Sequence, residues 1–214
     1  MNKKTYIFDL DGTLLDTLQD LAAAVNYALR QNGMPEHSID DIRHFVGNGV
    51  RKLIERSVPA GTSSSALSQV FADFRTYYMQ HSQDSTRPYD GITEMLQELK
   101  KRGCKMAVVS NKMMAATQKL VAHFFPEIDV AIGENEAAGL RKKPAPDMVY
   151  EALQQLHAEA GTAVYVGDSD VDIQTAKNAG LPCISVLWGF RSKAFLVEHG
   201  AQQFATKPAE LVTI

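Results

Sequence analysis

The sequence predicts an α/β fold, a parallel sheet covered on both sides by helices, with a block of helices inserted after the first strand. Three observations predict it. From residue 92 onward, apolar strand-like runs alternate with helical stripes. One further strand, residues 4–9, stands apart at the start of the chain. Between them, residues 16–85 carry helical periodicity and no convincing strand.

The first strand reads as a buried run ending in Asp9-Leu10-Asp11-Gly12-Thr13. From Asp16 the period changes: Leu18, Leu21, Ala22, Val25, Ala28 and Leu29 form one helical stripe, ended by Asn32-Gly33. Residues 38–57 read as short helices around the loop Val46-Gly47-Asn48-Gly49. Val70, Phe71, Phe74, Tyr77 and Tyr78 make another stripe, and Arg87-Pro88-Tyr89-Asp90-Gly91 is a turn. Then follow a helix at 92–102, a strand at 105–110, a helix at 113–124, a strand at 128–132 and a helix at 147–158. A strand at 163–167, a helix at 171–179, a strand at 182–187 and a last short helix complete the alternation. The expected division is a catalytic core of residues 1–15 and 86–214 with a helical cap of residues 16–85. An insertion after the first strand lies at the carboxyl ends of the strands, where such sheets place their ligands.

Bulk properties exclude several classes. A net charge of −3 and the absence of a basic block argue against nucleic acid as a partner. No stretch approaches the length of a membrane span, and the apolar run before Asp9 is too short for a signal peptide. Cys104 and Cys183 each edge an apolar run and read as buried small hydrophobes, so the cytoplasm is the expected location. The sequence assigns no oligomeric state.

Asp9 and Asp11 raise a question of charge. On a strand, positions i and i+2 project the same way, so the two carboxylates should sit together and need a cation, a shared proton or water. Three other segments close on the same theme: Val109-Ser110-Asn111-Lys112, Lys142-Lys143-Pro144-Ala145-Pro146-Asp147, and Val166-Gly167-Asp168-Ser169-Asp170-Val171-Asp172. Each alone is explained by turns, caps or solvated charge. Together, at the strand ends of one parallel sheet, they place Asp9, Asp11, Asp168 and Asp172 beside Ser110 and Lys143. That much negative charge calls for a cation, and hard carboxylate oxygens favour magnesium. A phosphate dianion would then be held by the metal, Lys143, the Ser110 hydroxyl and backbone N–H groups. Asp9, ionised at neutral pH, is the candidate nucleophile that forms an aspartyl-phosphate. Asp11 is the candidate acid and base for the leaving oxygen and the hydrolytic water.

These four segments, DLDGTLLDT at 9–17, VVSNK at 108–112, KKPAPD at 142–147 and GDSDVDI at 167–173, resemble the haloacid dehalogenase superfamily, specifically its phosphatases with a helical cap. The resemblance covers essentially the whole chain. It implies a Rossmann-like core, with Mg2+ held by Asp9, the backbone carbonyl of Asp11, and Asp168. It also implies that Asp172 orients the metal shell or Lys143, and that Ser110, Asn111 and Lys143 hold the phosphoryl group. A carboxylate at Asp11 points to a phosphoryl-transfer member, since the dehalogenases of the superfamily lack one there. The segment HFVGNGVRKLIER is similar to phosphoglycolate phosphatases and related small-substrate enzymes. It offers Gly47, Asn48, Gly49 and Arg51 as substrate contacts, with Arg51 pairing a carboxylate. The expected function is therefore a magnesium-dependent phosphatase acting on a small phosphorylated metabolite, phosphoglycolate first. The alternatives are a β-phosphoglucomutase-like mutase, a pyrophosphatase or a nucleotidase; a phosphonoacetaldehyde hydrolase would need a cap lysine, for which Lys52 is a weak candidate. A non-catalytic binding protein of the same fold is the alternative of a different class.

Overall fold

The computed structural model describes residues 5–213. In chain order, β1 (Thr5–Phe8) and the two-residue β2 (Leu15–Asp16) precede four helices, α1 (Leu18–Gln31), α2 (Ile39–Phe45), α3 (Val50–Ser57) and α4 (Ser64–His81). After β3 (Arg87–Pro88) come α5 (Ile92–Lys101), β4 (Lys105–Met113), α6 (Met114–Phe124), β5 (Val130–Glu134) and α7 (Asp147–Gln155). The chain ends through β6 (Ala163–Gly167), α8 (Asp170–Ala179), β7 (Cys183–Val186), α9 (Lys193–Glu198) and β8 (Gln203–Ala205). It divides into two compact units, one of the described residues through Asp16 with those from Pro88 onward, the other of Thr17–Arg87. The sequence expectation put these crossings at 15/16 and 85/86.

The first unit is built on a six-stranded sheet of order β5-β4-β1-β6-β7-β8, parallel at every pairing. Side chains alternate across it. Tyr6 and Phe8 join Met106, Val108, Val164 and Val166 on one face, under Ile92, Leu96 and Leu99 of α5 and Leu120 of α6. Ile7 joins Ala107, Val109 and Tyr165 on the other, under Met148, Val149 and Ala152 of α7 and Ala176 of α8. A sheet covered on both faces has strands that are apolar throughout, which is why β1 and β6 are buried at every position. Each fully buried residue of this kind contributes about 1.5–3 kcal/mol relative to exposure. An exposed pair such as Arg30–Glu36 contributes at most about 1 kcal/mol. Stability therefore lies in these two layers and not in the surface ion pairs.

Three features differ from the sequence expectation. β8 was not expected, because Gln203-Phe204-Ala205 is too short and too polar to register as an apolar run; it pairs in parallel with β7. β4 runs on to Met113, with an irregular register between Val109 and Met113, so Ser110, Asn111 and Lys112 lie in its disturbed end. β1 stops at Phe8, and only the Asp9 N–H continues its ladder, donating to the Val166 carbonyl at 2.9 Å. Past that point the chain turns sharply: the N–H groups of Thr13, Leu14 and Leu15 all donate to the Leu10 carbonyl. Strand alternation thus does not govern Asp9 and Asp11. Lys4, the first residue of the expected strand, lies outside the described residues.

In the second unit, α1 buries the full expected stripe, and α4 buries Val70, Phe74 and Tyr78, with Phe71 and Tyr77 half-buried. The Tyr77 ring stacks on both Tyr27 and His81. A buried carboxylate closes the unit on itself: Asp20 accepts from the main-chain N–H groups of Ser85 and Thr86, each at 2.9 Å. Helix α2 begins with a reciprocal cap in which Ser38 and Asp41 bond each other's main-chain N–H. Gly47 and Gly49 take φ of +126° and +86°, left-handed conformations that favour glycine.

Candidate active site

The nucleophile candidate sits where β1 ends, buried, with Lys143 Nζ 2.7 Å from its Oδ1. Lys143 is itself buried and lies 2.8 Å from Asp172 Oδ1. The loop that carries Lys143 is fixed from β4. The Asn111 side chain donates to the Lys143 carbonyl at 3.1 Å and accepts from the Lys143 N–H at 2.8 Å. The side chain of Asn111, a residue expected at the phosphate, thus bonds the lysine backbone through both its oxygen and its nitrogen.

Asp172 belongs to the first turn of α8. Its Oδ2 accepts from the Ser169 N–H and hydroxyl, and its Oδ1 from the Tyr165 hydroxyl as well as Lys143. A side chain at position 167 would collide with this carboxylate, so only glycine lets β6 pass so close to it. Asp168 is held on its other side: Phe190 N–H donates to Oδ2 at 2.7 Å and Thr13 Oγ1 to Oδ1 at 3.4 Å.

Electrostatics follow from this burial. Desolvation pushes the Asp9 carboxyl well above the usual carboxylate range; Asp172 and Asp168 add to the shift, and Lys143 opposes it. Asp168 is pushed up to about 7, by burial and then by Asp172. Burial disfavours the Lys143 charge, yet Asp172 and Asp9 outweigh it and raise its pKa. The like charges that act most strongly on Asp9 include Asp172 and Asp168 of the β6–α8 segment.

Asp11 faces another partner, Lys112 Nζ, at 3.0 Å; the lysine side chain is 1% exposed and that of Asp11 15%. Ser110 is buried at the same strand end, its Oγ accepting from the Lys112 N–H at 3.2 Å. Lys112 was quoted within the second segment but not singled out, though a lysine at a strand's carboxyl end was the signal available. Tyr165 and Phe190 carried no signal, because their roles here come from a core position and a main-chain N–H; Thr13 was quoted within the first segment, but its hydroxyl was not singled out.

The donor chemistry fits a divalent cation. Ligand oxygens of Asp9, Asp168 and Asp172 lie within 4.8 Å of one another. Ionised, these three carboxylates against the single ammonium of Lys143 leave two negative charges uncompensated. Each oxygen of Asp172 accepts two hydrogen bonds and each of Asp168 only one, so Asp9 and Asp168 are the pair suited to an ion, with Asp172 anchoring the lysine. An all-oxygen set of this kind suits magnesium.

Of the second unit's candidates, Asn48 Oδ1 accepts from Arg56 Nη2 at 2.8 Å, which ties the glycine loop to α3. Arg51 is 65% exposed and lies 3.2 Å from Glu55, with Lys52 on the same carboxylate. Cys104 and Cys183 are free and half-buried, not fully buried as expected. No helix among the described residues is long and apolar enough to cross a membrane.

Comparison with known proteins agrees with this arrangement. A family model described as haloacid dehalogenase-like hydrolase matches residues 6–186. A phosphoglycolate phosphatase of Aquifex aeolicus is 33% identical over 87% of this chain and 86% of its own length. One of Caulobacter vibrioides is 35% identical over 89% of this chain and 81% of its own length. Among solved structures, a Lactobacillus delbrueckii subsp. bulgaricus protein described as a candidate phosphoglycolate phosphatase is similar. It has a TM-score of 0.93 at 38% identity, covering 99% of this chain and 98% of that one. The acidic strand ends and the lysine loop thus fall within a pattern shared along nearly the whole chain, which belongs to the haloacid dehalogenase-like hydrolases.

Proposed function

We propose that the chain hydrolyses phosphoglycolate, or a phosphate monoester of similar size and charge, with magnesium and through an aspartyl-phosphate on Asp9. A hydrolase of this family whose relatives at 33% and 35% identity are named phosphoglycolate phosphatase is a phosphoric monoester hydrolase. The observation that carries the finer reading is the buried triad of Asp9, Asp168 and Asp172 gathered around Lys143.

In this reading Asp9, Asp168 and the main-chain carbonyl of Asp11 would hold the magnesium, which would supply positive charge that keeps Asp9 ionised and screens the phosphoryl oxygens. Lys143 and Ser110 hold the phosphoryl group. The Asp9 carboxylate attacks phosphorus as the bond to the leaving oxygen breaks, and Asp11 delivers a proton to that oxygen. Water then attacks the phosphorus of the acyl phosphate, Asp11 takes its proton, and the Asp9–phosphorus bond breaks to release phosphate. For this Asp11 exchanges its contact with Lys112 for one with substrate. The helical unit is assigned the role of cap, with Gly47, Asn48, Gly49 and Arg51 as its substrate contacts. The substrate is a small phosphorylated metabolite, and the unpaired cysteines suit a reducing cytoplasm.

A panel of phosphoglycolate, glucose 1-phosphate, nucleotides and pyrophosphate, compared by kcat/KM with magnesium and with chelator, tests the proposal. Phosphoglycolate should lead, and chelator should abolish turnover until magnesium is restored. Conversion of a hexose 1-phosphate to its 6-phosphate, or full activity in chelator, would overturn it.

A further inference from the structure

The segment that leaves β7 takes no part in the chemistry above, yet it is bonded to the site at two points. Leu187 N–H donates to the Ala205 carbonyl at 3.0 Å, anchoring the segment to β8. The Trp188 indole N–H then donates to the Thr13 carbonyl at 2.9 Å. Two residues later the Phe190 N–H donates to Asp168 Oδ2. Between them, Gly189 passes so close that a Cβ would collide with Asp168 and with the Gly12 carbonyl. Gly12 is equally confined: a side chain there would strike Asp168 and the Phe190 ring. Trp188 itself packs, partly buried, against the apolar layer on the α5 face of the sheet.

We propose that Trp188, Gly189 and Phe190 are positioning residues that set cation affinity at Asp168. They lock the Asp168 carboxylate against the Gly12-Thr13 turn that follows Asp9. The inference rests on the magnesium reading above and adds to it a reason for the sixth strand. The outer partners of a ligating carboxylate fix its orientation, and their loss typically weakens metal binding about 10–100-fold. Trp188→Phe keeps the ring and removes one hydrogen bond that acts through Thr13. Its effect should be smaller than that of Gly189→Ala, which forces the segment away from Asp168.

The test measures manganese(II) binding to the substrate-free protein by the electron paramagnetic resonance signal of free ion, with magnesium as competitor. Melting in chelator is followed alongside. Trp188→Phe should raise the manganese Kd about three- to tenfold and Gly189→Ala about 10–100-fold. For Trp188→Phe the melting temperature in chelator should be unchanged, and KM for the phosphate ester at saturating magnesium should stay at the wild-type value. If Gly189→Ala does not fold, Trp188→Phe decides. A wild-type Kd in Trp188→Phe, or a weakened Kd that only follows a lowered melting temperature in chelator, overturns the positioning role and leaves the magnesium reading standing. Wild-type protein that binds no manganese and turns over in chelator overturns both.

Discussion

The buried carboxylate cluster of the first unit and the Gly47–Arg51 segment of the second are built differently. In the cluster every charged group has fixed partners. Asp172 is bonded by Ser169, Tyr165 and Lys143, Asp168 by Phe190 and Thr13, and the Lys143 backbone by Asn111. In the loop, Arg51 is mostly exposed and shares Glu55 with Lys52. Groups held this firmly hold their geometry before substrate arrives, which is what transition-state stabilisation requires. An arginine on a solvated helix turn reorients at little cost, which suits substrate selection. The difference teaches that, in the proposed reading, chemistry is the task of the rigidly held groups and selectivity that of the adaptable one.

The comparison breaks first at Asp9. Asp9→Asn, nearly isosteric but unable to attack, should leave only background turnover with the fold intact by circular dichroism. Asp11→Asn should follow with a loss of about 10²–10⁴-fold in kcat, the usual worth of a positioned acid or base. Substantial activity in either variant would detach that residue from the chemistry.

A smaller effect is expected where the cluster is held and not where it reacts. Asn111→Ala removes two hydrogen bonds from the Lys143 backbone and should lower kcat/KM about tenfold on every substrate, because all share the phosphoryl group. Arg51→Ala should produce a loss of similar size, about tenfold, on phosphoglycolate alone, with p-nitrophenyl phosphate turnover unchanged. Equal losses on both substrates in the Arg51 variant would erase the distinction drawn above.

The smallest expected effect is on stability. Ser38 hydrogen bonds hold the Asp41 carboxyl below its ordinary range. A depressed carboxylate stabilises the fold above its unfolded pKa and loses that contribution as pH falls through the folded value. Ser38→Ala should lower Tm by a few degrees at neutral pH and flatten the acid limb of the Tm–pH curve, while kcat stays unchanged.

What could be read from the sequence follows the same division. The parallel sheet, its order of elements and the inserted helices were legible because buried strands and amphipathic helices carry different periods. Asp9, Lys143, Asp168 and Asp172 were legible because charged residues at the ends of apolar strands are costly without a purpose. The route from Asp9 to Asp11 was not legible, because the strand ends at Phe8 and a tight turn on the Leu10 carbonyl, not strand alternation, carries the chain between them. β8, with three residues and one large apolar side chain, lies below any periodic signal. The grip on Asp168 was invisible for another reason: it is made by a main-chain N–H at Phe190, a glycine and a threonine hydroxyl, none of which a charge pattern reveals.

The indole that bonds the Thr13 carbonyl is the chain's single tryptophan, so excitation at the red edge, where tyrosine does not absorb, selects one ring, and it is bonded to the turn following Asp9. Tryptophan emission from the unlabelled protein therefore reports on one place, the backbone four residues past the nucleophile candidate. Rapid mixing with substrate would watch that backbone in real time, separating phosphoryl arrival from phosphate departure without a label, a dye or a coupled assay.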